Sequence, residues 1–346
     1  MQAVKTSLTR LLGIRVPVIC GAMAGGSSAR LVVEVARGGG FGVIGGAFIP
    51  PEKLREELAF VRDSFPDLGQ KPLPIGVGFI AWLLDTKEEA AKQLIDVVVE
   101  SNVEALWFAF GNDVYRWVQY ARTSPAGASS TRKPLIFVQV TSVQEALLAA
   151  KEWKADVIVA QGNDAGGHGG ASTPSTFTLV SEILAALPGD NAPPVLAAGG
   201  IANGTQVAAY LTLGAAGAVL GTRFLLTPES LYSDAQKAAL LAANSGSTLR
   251  TLALDYARGT YGWPKGIDGR GIRNKIVDDI EAGIPHETVR EKLAKGKQEG
   301  DANYMVTWSG TGVGLMHEIK PAKDVMAELH TDIVRQLQRS QSLLQH

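Results

Sequence analysis

Apolar residues in this chain fall into short continuous runs rather than alternating positions. Eight runs stand out, at 16–23, 41–46, 73–80, 105–111, 134–140, 156–162, 194–200 and 216–225. A strand that is apolar at every position is covered on both faces, as parallel strands are. Helical signals lie between the runs. Ser28 caps a helix over 29–37 that Gly38, Gly39 and Gly40 end. Pro50 and Pro51 open another that reaches Asp63, with Glu52, Glu56 and Glu57 near its N-terminus. Further helices are expected over 86–100, 113–122, 142–151, 174–187 and 203–213, and a polar connection at 123–133 is expected to be mobile.

Eight strand–helix units in succession predict an α/β fold, a closed (β/α)8 barrel of the TIM type. A doubly wound open sheet is the alternative. The repeat count of eight, and glycine-rich turns after several strands rather than the first alone, favour the barrel. Past Pro228 the pattern changes. A helix is expected at 230–243, extended chain at 248–256, a Gly-, Trp-, Tyr-, Lys- and Arg-rich stretch at 259–273, a helix at 278–296 and irregular chain at 300–307. This reads as a small, mostly helical lid or substrate domain over 228–308, with the barrel built from 1–227 and 309–346. Gly310 to Gly314 returns the chain to the barrel, and 321–338 is a closing amphipathic helix.

Charge and cysteine usage narrow the function classes. The 346 residues carry a formal net charge of −1, which argues against a nucleic-acid or membrane surface as partner. The single cysteine, Cys20, excludes an internal disulfide and a cysteine-rich metal site, and it fits a reducing, cytoplasmic setting. Apolar runs such as 195–198 and 215–220 are too short and glycine-broken to span a bilayer, and no secretory leader is visible. His286, His317, His330 and His346 form no metal-ligand spacing, so no metal is expected.

In a barrel the active site lies at the C-terminal ends of the strands. The stretch 161–170, Gln-Gly-Asn-Asp-Ala-Gly-Gly-His-Gly-Gly, follows the sixth run directly. It holds His168 between Gly166, Gly167, Gly169 and Gly170, with Asp164 four residues earlier. Glycine admits a flat ligand close to the backbone, and histidine suits acid–base work near neutral pH. Gly199 and Gly200 end the seventh run, and Gly221 and Thr222 lie at the end of the eighth. Backbone N–H groups of those two loops commonly hold a phosphate, although tight strand–helix turns need glycine anyway. Ala22, Met23 and Ala24 end the first run, and Gln139 lies near the end of the fifth, either as a neutral hydrogen-bonding group or as strand-end solvation.

These motifs resemble the nitronate monooxygenase family, formerly called 2-nitropropane dioxygenases, and more closely its fungal-type members. The resemblance runs from about 12 to 226 and resumes at Gly310; it is carried by PVICGAMAGG at 17–26, QGNDAGGHGG at 161–170, AAGGIANG at 197–204 and GTRF at 221–224. The histidine stretch is the most specific; the others are widespread in flavin- and phosphate-binding barrels. The resemblance implies FMN at the top of the barrel. Met23 and Ala24 would lie beside the isoalloxazine, and Gln161 and Gly166 would touch it from the sixth loop. Gly200 and Val219, Leu220, Gly221 and Thr222 would hold the phosphate end, and His168 matches the family's active-site histidine. That histidine removes the α-proton in members accepting neutral nitroalkanes and positions the anion in those limited to nitronates. Where bacterial-type members carry Asn after the third-strand Gly-Val pair, and His before Phe-Gly in the fourth strand, this chain has Gly78 and Ala109.

The implied reaction oxidises a nitronate or nitroalkane with O2 to a carbonyl compound and nitrite. The partners are small molecules, and a homodimer is compatible. An FMN-dependent enoyl-thioester reductase using NAD(P)H is the alternative, since that class shares much of the barrel pattern. A dehydrogenase of the inosine-monophosphate type needs a loop cysteine, whereas Cys20 lies inside the first strand. A flavin- or phosphate-binding module without turnover is the non-enzyme reading. In the expected lid, Tyr256, Tyr261, Trp263, Lys265, Arg270 and Arg273 form an aromatic–basic set that either closes over the flavin and holds an anion, or is packing and solvated charge.

Overall fold

Eight parallel strands close on themselves. The computed structural model describes residues 2–127, 132–189 and 191–344, so 128–131 of the polar connection, and His346, lie outside the described residues. In chain order the strands are β1 Val18–Cys20, β2 Phe41–Gly45, β3 Leu73–Ile80, β4 Val103–Ala109, β5 Leu135–Val140, β6 Val157–Gln161, β7 Gly167–Gly170, β8 Val195–Ala198, β9 Gly217–Leu220, β10 Thr248–Thr251 and β11 Ile267–Ile272. The barrel order is β1-β2-β3-β4-β5-β6-β8-β9, and β1 pairs with β9 through Ile19 and Val219 to complete the ring. The fold is the TIM barrel that the runs predict.

The continuous apolar runs are explained by two cores. Along β4, Ala105, Trp107 and Ala109 join the cluster inside the barrel, whereas Leu106 and Phe108 join the cluster beneath the helices. β6 divides the same way, with Val157 and Val159 inside and Ile158 and Ala160 outside. Both faces of each strand are therefore dry, which removes the polar half of a period-two pattern. Below the strands, the helix Ser7–Leu12 seals the barrel floor. Its start is fixed by a capping box between Thr6 and Thr9, and Leu8 is fully buried in the inner cluster. The last helix, Ala322–Gln341, lies against Gly204–Leu213. A Cβ on Gly204 would come 2.4 Å from the Leu329 carbonyl oxygen, so only glycine lets these helices approach so closely.

Several expected boundaries move. β1 has three residues rather than eight, and Gly21, Ala22 and Met23 beyond it line the cavity at the strand ends. The eighth run splits into β9 and a short helix, Thr222–Leu225. The helix expected at 86–100 starts at Glu88, and a separate short helix, Ala81–Thr86, precedes it.

The segment 228–308 is mostly helical, as expected, and adds a small sheet. It holds four helices, Asp234–Ala242, Ala253–Arg258, Lys275–Glu281 and His286–Glu299, and also β10 and β11. The chain after β6 is not a free loop. As β7 it forms the third strand of an antiparallel sheet ordered β10-β11-β7, in which His168 lies opposite Gly269 and Arg250 opposite Arg270. Leu254, Ile276, Val277 and Val289 give this segment an apolar cluster separate from the barrel's. No helix among the described residues is long and apolar enough to cross a membrane.

Candidate active site

The C-terminal strand ends and the 228–308 segment enclose one large cavity of about 1330 Å³, its open mouth included. Two kinds of wall meet there. Gly199, Gly200, Gly221, Gly310 and Gly312 line one side with bare backbone. Phe48, Trp107, Phe110, Trp263 and Trp308 form an aromatic wall elsewhere. In the wall, Gln139 Nε2 is a buried donor and Gln161 Oε1 a buried acceptor, and neither has a hydrogen-bond partner. A buried polar atom left unpaired costs about 1–3 kcal/mol, so these two amides mark where a polar ligand belongs.

His168 reaches the cavity from β7. Gly167 precedes it with φ of 70°, a left-handed turn that glycine adopts without strain and that carries the chain into β7. The imidazole stacks on Trp263 at 3.5 Å between centroids and 11° between planes, and Trp308 lies at 4.8 Å. Its Nε2 lies 2.9 Å from each oxygen of the fully buried Asp255 carboxylate. Asp255 Oδ1 also accepts from Trp263 Nε1 at 3.1 Å. Burial holds the imidazole's pKa below the usual histidine value of 6.5. Asp255 pulls the other way by hydrogen bond and charge, and Arg258 and Arg250 add to the lowering. With only 9% of the side chain exposed, desolvation prevails over the carboxylate and favours the neutral ring.

Arg250 holds the strand that carries His168. It pairs with Asp268 at 2.6 Å, and its Nη2 donates to the carbonyls of Asp268 and Gly169 at 2.7 and 2.8 Å. Tyr232 fixes Trp308 by accepting from its backbone N–H at 3.0 Å and donating to its carbonyl at 3.2 Å. Asp164 is occupied elsewhere, its carboxylate accepting from Thr176 N at 2.7 Å.

The expected site residues gather around the cavity with one exception. Ala22, Met23 and Ala24 line it from the first strand end, and Gln139 from β5. Gln161, Gly166, Gly167 and His168 line it from β6 and β7, and Gly199 and Gly200 from the end of β8. Val219, Gly221 and Thr222 line it from the end of β9. Leu220 does not. Strand alternation turns its side chain away from Val219 and into the cluster beneath the helices, where it is fully buried.

Of the aromatic–basic set at 256–273, Trp263 alone lines the cavity. Tyr256 and Tyr261 stack with His286, Arg270 donates to the Asn163 carbonyl, and Arg273 pairs with Asp278 and Glu281 on the surface. Lys265 is exposed. Sequence reasoning missed Asp255, Trp308, Phe48 and Arg258. Asp255 lies 87 positions from the histidine it touches, inside a stretch that reads as extended, and no local signal marks it.

A closed (β/α)8 barrel with a deep cavity at its strand ends, holding a buried histidine and unpaired amides, has the layout of an enzyme site. The chain belongs to the nitronate monooxygenase family, whose sequence pattern matches residues 5–332. A nitronate monooxygenase of Neurospora crassa is 34% identical over 336 residues, covering 90% of this chain and 87% of that protein. A second, from Metarhizium robertsii, is 33% identical over 313 residues, covering 86% and 85%. In shape the chain is similar to FabK from Thermotoga maritima, with a TM-score of 0.78 and 26% identity over 99% of this chain and 100% of that one.

Proposed function

We propose that this chain binds FMN in the cavity and oxidises alkyl nitronates with O2 to a carbonyl compound and nitrite. The observation that carries the reading is the pair of unpartnered amides, Gln139 Nε2 and Gln161 Oε1, buried in a wall whose other side is bare glycine backbone. An isoalloxazine ring carries both acceptors and donors at its edge, and a phosphate needs free N–H groups. The residues fit both ends of such a molecule. Met23 and Ala24 would lie beside the ring with Gln139, Gln161 and Gly166, while Gly199, Gly200, Val219, Gly221 and Thr222 would hold the phosphate. Gly167, whose positive φ only glycine adopts without strain, sets the backbone turn that brings His168 to the cavity.

FMN, when bound, supplies the electron acceptor that an electron-rich nitronate carbon requires. The protein's own part is placement and proton handling. The aromatic wall of Trp107, Phe110, Trp263 and Trp308 keeps water from the reacting carbon and offers an alkyl chain an apolar surface. His168, neutral and at the same cavity, is the group to take an α-proton from a neutral nitroalkane.

The purified protein should be yellow, and denaturation should release FMN and not FAD, since none of the loops assigned to the cofactor marks an adenosine pocket. Colourless protein that takes up no added FMN would overturn the proposal. Turnover of an enoyl thioester with NAD(P)H, with none of any nitronate, would replace it with the reductase reading.

A further inference from the structure

Asp255 has no part in the reading above, yet it is a fully buried carboxylate in direct contact with the histidine that faces the cavity. It sits on the helix Ala253–Arg258, while His168 sits on β7, so two separate elements must be docked for the pair to exist. Two side-chain donors are directed at it. His168 Nε2 approaches both carboxylate oxygens at 2.9 Å, and Trp263 Nε1 approaches Oδ1 at 3.1 Å. Trp263 also lies flat on the imidazole at 3.5 Å, which fixes the plane of the ring. A carboxylate in such a place accepts and does not donate, so the hydrogen on a neutral imidazole must sit on Nε2. The other ring nitrogen, Nδ1, makes no hydrogen bond to any described residue.

We infer that Asp255 is a positioning residue: it locks His168 in the Nε2–H tautomer and so presents Nδ1 as a bare lone pair to the substrate. The inference rests on the proposed use of the cavity for nitro compounds and decides between the two roles open to the histidine there. A ring held in this tautomer cannot donate from Nδ1 to a nitronate oxygen, but it can accept a proton. With a neutral nitroalkane the Cα–H bond breaks, the proton goes to Nδ1, and the electron pair moves into the nitro group. The products are a nitronate and an imidazolium whose Nε2–H remains on Asp255. The carboxylate stabilises that cation as it forms, while Arg258 on the same helix and Arg250 on β10 oppose it. The arrangement has the logic of the carboxylate in a serine protease triad, where orientation and tautomer are set by an acid that never takes the proton.

Two measurements test this. In wild-type protein carrying ¹⁵N-histidine, the His168 signals, assigned by their loss in His168→Gln, should show a protonated Nε2 and a bare Nδ1 at neutral pH. This needs neither turnover nor a folded variant of Asp255. The second uses Asp255→Asn, which keeps the size but turns an amide N–H toward Nε2 and so favours the opposite tautomer. Oxidation of a neutral nitroalkane should fall roughly 10²–10⁴-fold in kcat, while turnover of pre-formed nitronate falls by less than about tenfold, since that substrate has no proton left to give. A merely structural carboxylate would depress both substrates alike and leave the tautomer unchanged.

A bare Nε2, or a doubly protonated ring, in the wild type at neutral pH would overturn the inference. So would equal losses on the two substrates in a folded Asp255→Asn. Correct tautomers in a protein that oxidises no nitro compound would overturn the proposed function while upholding the role of Asp255.

Discussion

Gly221 has room for a methyl group and Gly200 does not. A Cβ on Gly221 would meet only Met23 Sδ, at 3.5 Å, an ordinary contact. Gly200 has φ of 69°, and its Cβ would lie 3.0 Å from both Asp164 Cβ and Thr311 Oγ1. The two glycines therefore separate ligand contact from folding. Gly221→Ala should fold with unchanged stability but bind FMN about 1–3 kcal/mol more weakly, the usual cost of an overpacked contact. Gly200→Ala should lose about 1–3 kcal/mol of folding stability to backbone strain before any ligand is added. FMN titration and chemical denaturation of both variants check this; unchanged FMN affinity in Gly221→Ala removes that loop from the phosphate site.

His168 gives a pH prediction at the same scale. Its folded pKa lies below 6.5, and a base must be unprotonated to act. Activity on a neutral nitroalkane should be full at pH 7 and lost as pH falls through a value below 6.5, with no such limb for pre-formed nitronate. Stability follows the same sign. The unfolded chain takes up this proton more readily, so the contribution is intact above 6.5 and declines as pH falls towards the folded pKa. An activity limb centred above 6.5 would contradict the neutral, buried ring.

Among the elements, the sheet β10-β11-β7 couples the segment beyond 228 to His168. Its keystone is Arg250, with 9% of its side chain exposed, which ties Asp268 on β11 to Gly169 on β7. Removing one partner of a buried pair costs about 3–5 kcal/mol. Asp268 keeps 19% exposure, so Arg250→Met should fall near the lower end, at about 3 kcal/mol. Amide exchange at His168 and Gly169 should speed up more than in the barrel strands. Uniform exchange across the chain would show that β7 does not depend on this tie.

The same sheet marks where the sequence stops being readable. Barrel strands are legible because both faces are dry and the runs are apolar throughout. β7 is Gly-His-Gly-Gly, which carries no strand pattern of its own and becomes a strand only because β11 offers an edge. The helix Ala253–Arg258 is six residues long, too short to build a periodic signal, so Asp255 reads as part of an extended stretch. His168, by contrast, is legible because the glycines that let it enter the cavity are its immediate neighbours. Leu220 lies off the cavity wall although its motif points there, because a motif reads as a block whereas a strand turns each neighbour to the opposite face.

For the whole molecule, the barrel and the strand after β6 supply the glycine-lined wall and His168, and the segment beyond 228 supplies the groups that hold that histidine. The glycine-lined half of the cavity comes chiefly from strand ends, and the groups that touch His168 come from beyond residue 228: Asp255, Trp263 and Trp308. Neither half is a complete site, and the proposed reaction needs a cofactor on one side and a base on the other. Oxygen uptake by the purified, FMN-loaded protein on addition of a pre-formed alkyl nitronate, with no nicotinamide present, tests that account most directly. Saturable uptake accompanied by nitrite is the predicted result. No uptake with any nitronate, from protein that turns over an enoyl thioester with NAD(P)H, would contradict it.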